Sequence, residues 1–163
     1  MPTPAFVLAL RAKVGHTPLW LPGVCAVVLR PLDEPKEVLL VRRSDDGTWT
    51  PVKGIMDPGE EVGQSAIREC LEETGVRIAV DRLVNVGVIG PVRYNNGDVT
   101  TYLEHTVRAA WVCGEPLVGD DESSEVGWFP LADLPAPIPD ADRAQIEVAV
   151  ANPADVVLEG LPR

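Results

Sequence analysis

Residues 54–76 read GIMDPGEEVGQSAIRECLEETGV. Five of these residues are Glu and one is Asp, and Arg68 is the single cation among them. Glu69, Glu72 and Glu73 fall within a turn and a half of helix. With Glu69 at zero on a wheel of about 100° per residue, Glu73 sits near 40° and Glu72 near −60°. The three acids therefore share a face. Ile67, Cys70 and Leu71 occupy roughly 100° to 200° on the same wheel. The spacing predicts a helix that buries Ile67, Cys70 and Leu71 and gathers its acids on the opposite side, with Gly75 as its C′ residue.

Solvated helix faces usually mix signs at i,i+4, because like pairs there cost a few tenths of a kcal/mol. Glu69 and Glu73 are a like pair. In a partly buried cleft their repulsion reaches about 4 kcal/mol at an effective dielectric near 20. A divalent cation turns that repulsion into attraction. Oxygen ligands with no His nearby favour Mg2+ or Mn2+ over zinc. On spacing alone, metal binding and a solvated acidic surface stand about level.

The flanking residues separate the two. The run is Gly54, five residues, Glu60, seven residues, Arg68-Glu69, Cys70-Leu71, Glu72-Glu73, Thr74-Gly75 and an apolar Val76. It resembles the Nudix box, the signature of hydrolases that cleave nucleoside diphosphates linked to another moiety. Every fixed polar and glycine position is filled, and Cys70 stands where relatives usually carry an aliphatic residue. The resemblance implies an α/β fold, an α/β/α sandwich in which a mixed β-sheet is flanked by helices. It implies Mg2+, with Mn2+ as the alternative. It assigns metal binding to Glu69, Glu73 and the Gly54 carbonyl, and shares Glu72 between metal binding and base duty. Glu60 and Arg68 become the pair that braces the loop on the helix, a role suited to a charge-assisted bond. Relatives often add a carboxylate from a distant loop. Here that is Glu122 first and Glu125 second, both in the acidic run 119–125 that precedes an apolar strand. One departure is Lys53, where relatives carry glycine; it is either a tolerated exposed loop residue or an added phosphate contact.

Substrate choice lies outside the box. Pro91 is fifteen residues past Val76, a mark of ADP-ribose pyrophosphatases, and Tyr94 is eighteen past, nearer the mark of dinucleoside polyphosphate hydrolases. Trp49, Tyr94 and Tyr102 are the aromatics available to stack on a base. The favoured reading is hydrolysis of ADP-ribose or a similar nucleoside diphosphate sugar. Hydrolysis of a dinucleoside polyphosphate or an oxidised nucleoside triphosphate is the alternative. A catalytically silent binding module of the same fold is the alternative from another class.

The rest of the chain supplies the frame. A helix is expected over 4–14, ending at Gly15. Strands are expected over Gly23 to Arg30, Glu37 to Arg43, Trp49 to Val52, Leu83 to Ile89, Val99 to Val112 and Val126 to Phe129. Asn95-Asn96-Gly97 is a hairpin turn signal. Asp140 to Ala151 reads as an amphipathic helix, and 153–163 as a tail free to fray. With 163 residues, 45% apolar and 24% charged, the expectation is one domain over 1–163, with 1–20 as an N-terminal extension before the box at 54–76. The net charge of −11 argues against a nucleic-acid partner. No segment has the length of a membrane span, and the apolar run 6–10 lacks the flanks of a signal peptide. Cys25, Cys70 and Cys113 are sparse and read as reduced, buried thiols of a cytoplasmic protein. His105 reads as a packed strand residue and His16 as a surface one. The expected partner is a small-molecule nucleotide, and a homodimer is left open.

Overall fold

The computed structural model describes residues 3–119 and 122–160. Along them run α1 (Ala5–Val14), β1 (Leu19–Arg30), β2 (Glu37–Arg43), β3 (Trp49–Thr50), β4 (Val52–Ile55), α2 (Val62–Thr74), β5 (Arg77–Arg93), β6 (Val99–Cys113), β7 (Ser123–Pro130), α3 (Asp140–Ala151) and β8 (Val157–Leu158). The strands form one mixed sheet in the order β3-β2-β1-β6-β5-β8, with β4 added to β1 and β7 to β2. β1 runs parallel to β6. Its other edge is divided between β4, at Gly23 to Ala26, and β2, at Leu29 and Arg30.

β1 is apolar on both faces because both are covered. Val24, Ala26 and Val28 pack with Ala66 and Cys70 of α2. Cys25, Val27 and Leu29 pack with Ile146 and Ala149 of α3. The sheet is thus sandwiched between α2 and α3, as the α/β expectation required. β4 inherits the same division. Gly54 is opposite Val24 and faces α2; Lys53 is opposite Cys25 and faces α3.

Several expectations are corrected. α2 does not bury its large apolar residues: Ile67 is 43% exposed and Leu71 40%, whereas Ala66, Cys70 and Thr74 are fully buried with Glu69 and Glu73 beside them. Small side chains let the helix approach the sheet closely, and the acids fall inside the arc that this approach buries. The third strand is interrupted at Pro51, which has no N–H to give to a ladder; β3 pairs with β2, and β4 with β1. β1 begins at Leu19, so the extension before it is chiefly α1. β7 begins at Ser123, so the second half of the acidic run is strand and not loop; Asp120 and Asp121 lie outside the described residues. The tail is not frayed throughout, because β8 pairs in parallel with Asn85 and Val86; residues 161–163 lie outside the described ones. Cys25 and Cys70 are buried free thiols, but Cys113 is exposed. His16 is exposed, and His105 Nδ1 is 3.0 Å from the Gly23 carbonyl oxygen. No helix among the described residues is long and apolar enough to cross a membrane.

Candidate active site

A cavity of about 430 Å³ opens beside the first half of β1, walled by β4, α2, β6 and the start of α3. Glu69 is its most constrained acid. The residue is wholly buried, and its Oε2 has no hydrogen-bond partner. Its Oε1 accepts from Arg68 Nη1 at 2.9 Å. Burial pushes its carboxyl up to about 7, against the nearby Arg68 charge that favours ionisation. Gly54 makes room for it. A Cβ on Gly54 would lie 1.9 Å from the Glu69 carboxyl carbon and 2.0 Å from Oε1, so any side chain there evicts the carboxylate. Glu73, one turn on, is buried and lines the same cavity.

Arg68 ties the loop after β4 to α2. Its Nε donates to Glu60 Oε1 at 2.6 Å and its Nη2 to Glu60 Oε2 at 2.7 Å, a bidentate pair. Its Nη2 also reaches the Ile55 carbonyl at 3.3 Å. Glu60 further accepts from Ser65 Oγ and from the Asp57 N–H. Arg68 first, and then these donors, hold the Glu60 carboxyl down at about 2. At the far end α2 stops at Gly75, whose φ of 69° is left-handed and whose N–H donates to the Leu71 carbonyl. Glu72 points outward: its side chain is 49% exposed and its Oε2 is 3.3 Å from Arg68 Nη1.

The two loop acids part company. Glu122 lines the cavity. Its backbone carbonyl accepts from the Ser44 N–H at 2.7 Å, which fixes the entry to β7. Glu125 is exposed on β7 and bound to Arg42 Nη1 at 2.5 Å, outside the cavity lining. Tyr94 and Tyr102 both line the cavity, hydroxyl to hydroxyl at 2.6 Å. Trp49 is not available to a base: it is buried in the core edge-on to Phe129, ring centroids 4.6 Å apart. Lys53 is not an exposed loop residue either. Its Nζ lies 3.0 Å from Glu104 Oε1 and 2.5 Å from Asp142 Oδ1.

Glu104 and Asp142, which line this cavity, and Gln145, which bonds Glu104, are buried polar residues that the sequence did not single out. A carboxylate at an inward position of β6, in phase with Tyr102 and Thr106, was the signal for Glu104. Arg11 of α1 is another. Val7 is the one buried residue of α1, and the helix is tied down chiefly by Arg11, which donates to the carbonyls of Gly15, Thr17 and Val99 and lies 3.3 Å from Asp98.

Among the described residues no three His, Cys, Asp or Glu side chains converge into a ready-made metal set. The donors nevertheless suit a hard cation. A buried carboxylate oxygen without a partner, a second buried carboxylate one turn away and a bare glycine backbone against them form an all-oxygen cradle.

Comparison with known proteins places the fold. The profile of the NUDIX domain matches residues 21–149. The chain is 32% identical over 122 residues to the human 8-oxo-dGDP phosphatase NUDT18, covering 71% of this chain and 35% of that protein. The first curated relatives are matched over 35% to 64% of their own length. Among solved structures, a MutT NUDIX hydrolase from Burkholderia pseudomallei is 30% identical with a TM-score of 0.58, covering 79% of this chain and 97% of that one. The NUDIX domain of Shewanella oneidensis NrtR, solved with ADP ribose, is 27% identical with a TM-score of 0.60, covering 92% of this chain and 98% of that one.

Proposed function

The chain belongs to the NUDIX family, and on that premise we propose that it hydrolyses the pyrophosphate bond of a nucleoside diphosphate linked to another moiety. The observation that carries this reading is the unpartnered, buried Oε2 of Glu69 pressed against the bare backbone of Gly54. A buried carboxylate oxygen without a partner is costly unless something positive belongs beside it. Glu69, Glu73 and the Gly54 carbonyl would hold Mg2+, or Mn2+ in its place. When bound, the ion neutralises pyrophosphate oxygens and acidifies a water.

The chain's own residues do the rest. Water adds across the P–O–P bridge; one phosphorus gains the hydroxyl and the bridging oxygen leaves with the other phosphate. Glu122 takes the water's proton, because it lines the cavity while Glu72 turns outward onto Arg68. Arg68 is a positioning residue: it fixes Glu69 on one side and Glu60 on the other.

ADP-ribose or a similar nucleoside diphosphate sugar is the favoured substrate. Pro91 lies between Ile89 and Val92, which both line the cavity, and the NrtR domain holds ADP ribose. An oxidised guanine nucleotide is the second reading, favoured by the likeness to the 8-oxo-dGDP phosphatase. The buried free thiols Cys25 and Cys70 suit a cytoplasmic location. The test is turnover of ADP-ribose, diadenosine polyphosphates, oxidised dGTP and nucleotide sugars with Mg2+, read as phosphate or nucleoside monophosphate release. Release should stop in excess chelator. Turnover of every good substrate that persists there would sink the metal reading, and a clear preference for oxidised dGTP would overturn the substrate choice.

A further inference from the structure

The cavity has a second polar end, away from Glu69. Gly54 and Lys53 are neighbours in β4 and point to opposite faces of the sheet, so the acids of α2 gather around one and a separate cluster around the other. In that cluster Lys53 Nζ binds Glu104 Oε1 and Asp142 Oδ1. Gln145 Nε2 donates to the same Glu104 Oε1 at 2.8 Å. Glu104, Asp142 and Gln145 are 6%, 5% and 6% exposed.

Two cations or donors thus converge on one oxygen of Glu104 and fix the side chain. The other oxygen, Oε2, is engaged by neither and lies beside Gly23, 3.6 Å from where a Cβ would stand. Both residues line the cavity. Two carboxylates and one ammonium leave a net charge of about −1 on the cluster at neutral pH. Such an end repels phosphate and cannot compete for it. It accepts hydrogen bonds, and the groups that satisfy it are adjacent N–H or O–H donors on an uncharged moiety.

We propose that Glu104, held by Lys53 and Gln145, is a specificity-determining residue that binds a pair of adjacent hydrogen-bond donors on the nucleoside part of the substrate. The proposal rests on reading the cavity as the hydrolase's substrate site. It also sets the substrate's direction: the nucleoside end goes to Glu104 and the pyrophosphate to Glu69 and Glu73. Two sources present such donors, the N1–H and 2-amino edge of a guanine and the vicinal hydroxyls of a ribose. Sites that bond a donor of this kind discriminate strongly against analogues that lack it, because the buried acceptor is left unpaired.

The test uses neutral nucleosides and the metal-free full chain, so that neither turnover nor metal enters. Guanosine, inosine and 2′-deoxyguanosine are titrated by NMR. Inosine lacks the 2-amino group, and 2′-deoxyguanosine lacks one of the paired hydroxyls. One deletion should weaken binding about tenfold, the loss expected for a hydrogen bond to a charged group. Loss with inosine assigns a base edge; loss with 2′-deoxyguanosine assigns the ribose. Glu104→Gln should erase whichever discrimination the natural chain shows. The side-chain carboxyl resonance of Glu104 should shift on adding guanosine, a readout that needs no substitution. Equal affinity for all three nucleosides, a Glu104 resonance that stays put, or a Glu104→Gln chain that still discriminates would each overturn the proposal. Discriminating nucleoside binding in a chain that releases no product in the separate Mg2+ substrate panel would instead count against the hydrolase reading.

Discussion

The acids of this site differ by what surrounds each carboxyl, and each environment has a measurable consequence. Glu69 has its carboxyl raised from an ordinary 4.5 to about 7 by burial. An acid whose folded value is raised favours the folded state fully below its unfolded value. That contribution is lost as pH climbs from about 4.5 to about 7, and stays lost above. In chelator, Glu69→Gln should therefore melt higher than the natural chain at pH 8, by about 1–3 kcal/mol of stability, and at the same temperature as the natural chain at pH 4. Thermal melts at the two pH values check this; equal shifts at both would mean that Glu69 is not ionised against its burial. Glu122 and Glu125 differ by location, since one lines the cavity and the other is spent on Arg42 at the surface. At saturating Mg2+, Glu122→Gln should lower kcat by about 10²-fold or more, the scale of a lost general base. Glu125→Gln should leave kcat within a few-fold. Steady-state kinetics of the two side by side decides it, and the reverse order moves the role to Glu125.

At the scale of the element, α2 shows how a helix can be read correctly at its C-terminal end and wrongly in orientation. Its end at Gly75 follows from a left-handed residue that only glycine adopts freely. Its buried face does not follow from hydrophobicity. Ala66, Cys70 and Thr74 seat the helix, Glu69 and Glu73 share the buried arc with them, and Ile67 and Leu71 are left facing solvent. Ile67→Asp should accordingly change stability by no more than about 0.5 kcal/mol. Ala66→Asp, which puts a charge against Val24 and Val28, should cost several kcal/mol. Urea or thermal melts that rank the two the other way would restore the hydrophobic-face reading. The same cause explains what else was hidden. β2 and α3 were legible to the residue because a short apolar run and a proline-led amphipathic stretch have local signatures. Glu104 and Lys53 meet only through the pairing of β1 with β4 and β6, Asp142 joins them through the packing of α3 on the sheet, and no local pattern encodes that meeting. Trp49 reads from the sequence as an aromatic free to stack, but packing against Phe129 claims it.

For the whole molecule, the two helices and the sheet give the site its rigidity, and α1 gives it a wall of a different kind. α1 lies outside the residues matched by the NUDIX profile, and Val7 and Arg11 place it along the cavity. Arg11, beside the buried Val7, fastens it through its hydrogen bonds to Val99 and Thr100. Arg11→Met should loosen α1 and raise KM several-fold while kcat and the main melting transition change little. Kinetics with limited proteolysis checks this: α1 should become the first segment cut. A variant with unchanged KM and unchanged cleavage would show that α1 is held by something other than Arg11.

The back-to-back placement of Lys53 and Gly54 has a consequence for how this chain can vary. Side chains alternate along a strand, so inserting or deleting one residue in β4 exchanges the face each neighbour serves. The lysine would be driven into the Glu69 carboxylate, and the bare backbone would open toward Asp142. On the proposed binding mode, both ends of the substrate would be lost in one event, and recognition and hydrolysis would be inherited as a unit at this point. Divergence toward new substrates has to proceed by replacing side chains on β6 and α3, never by changing the length of the strand that joins them.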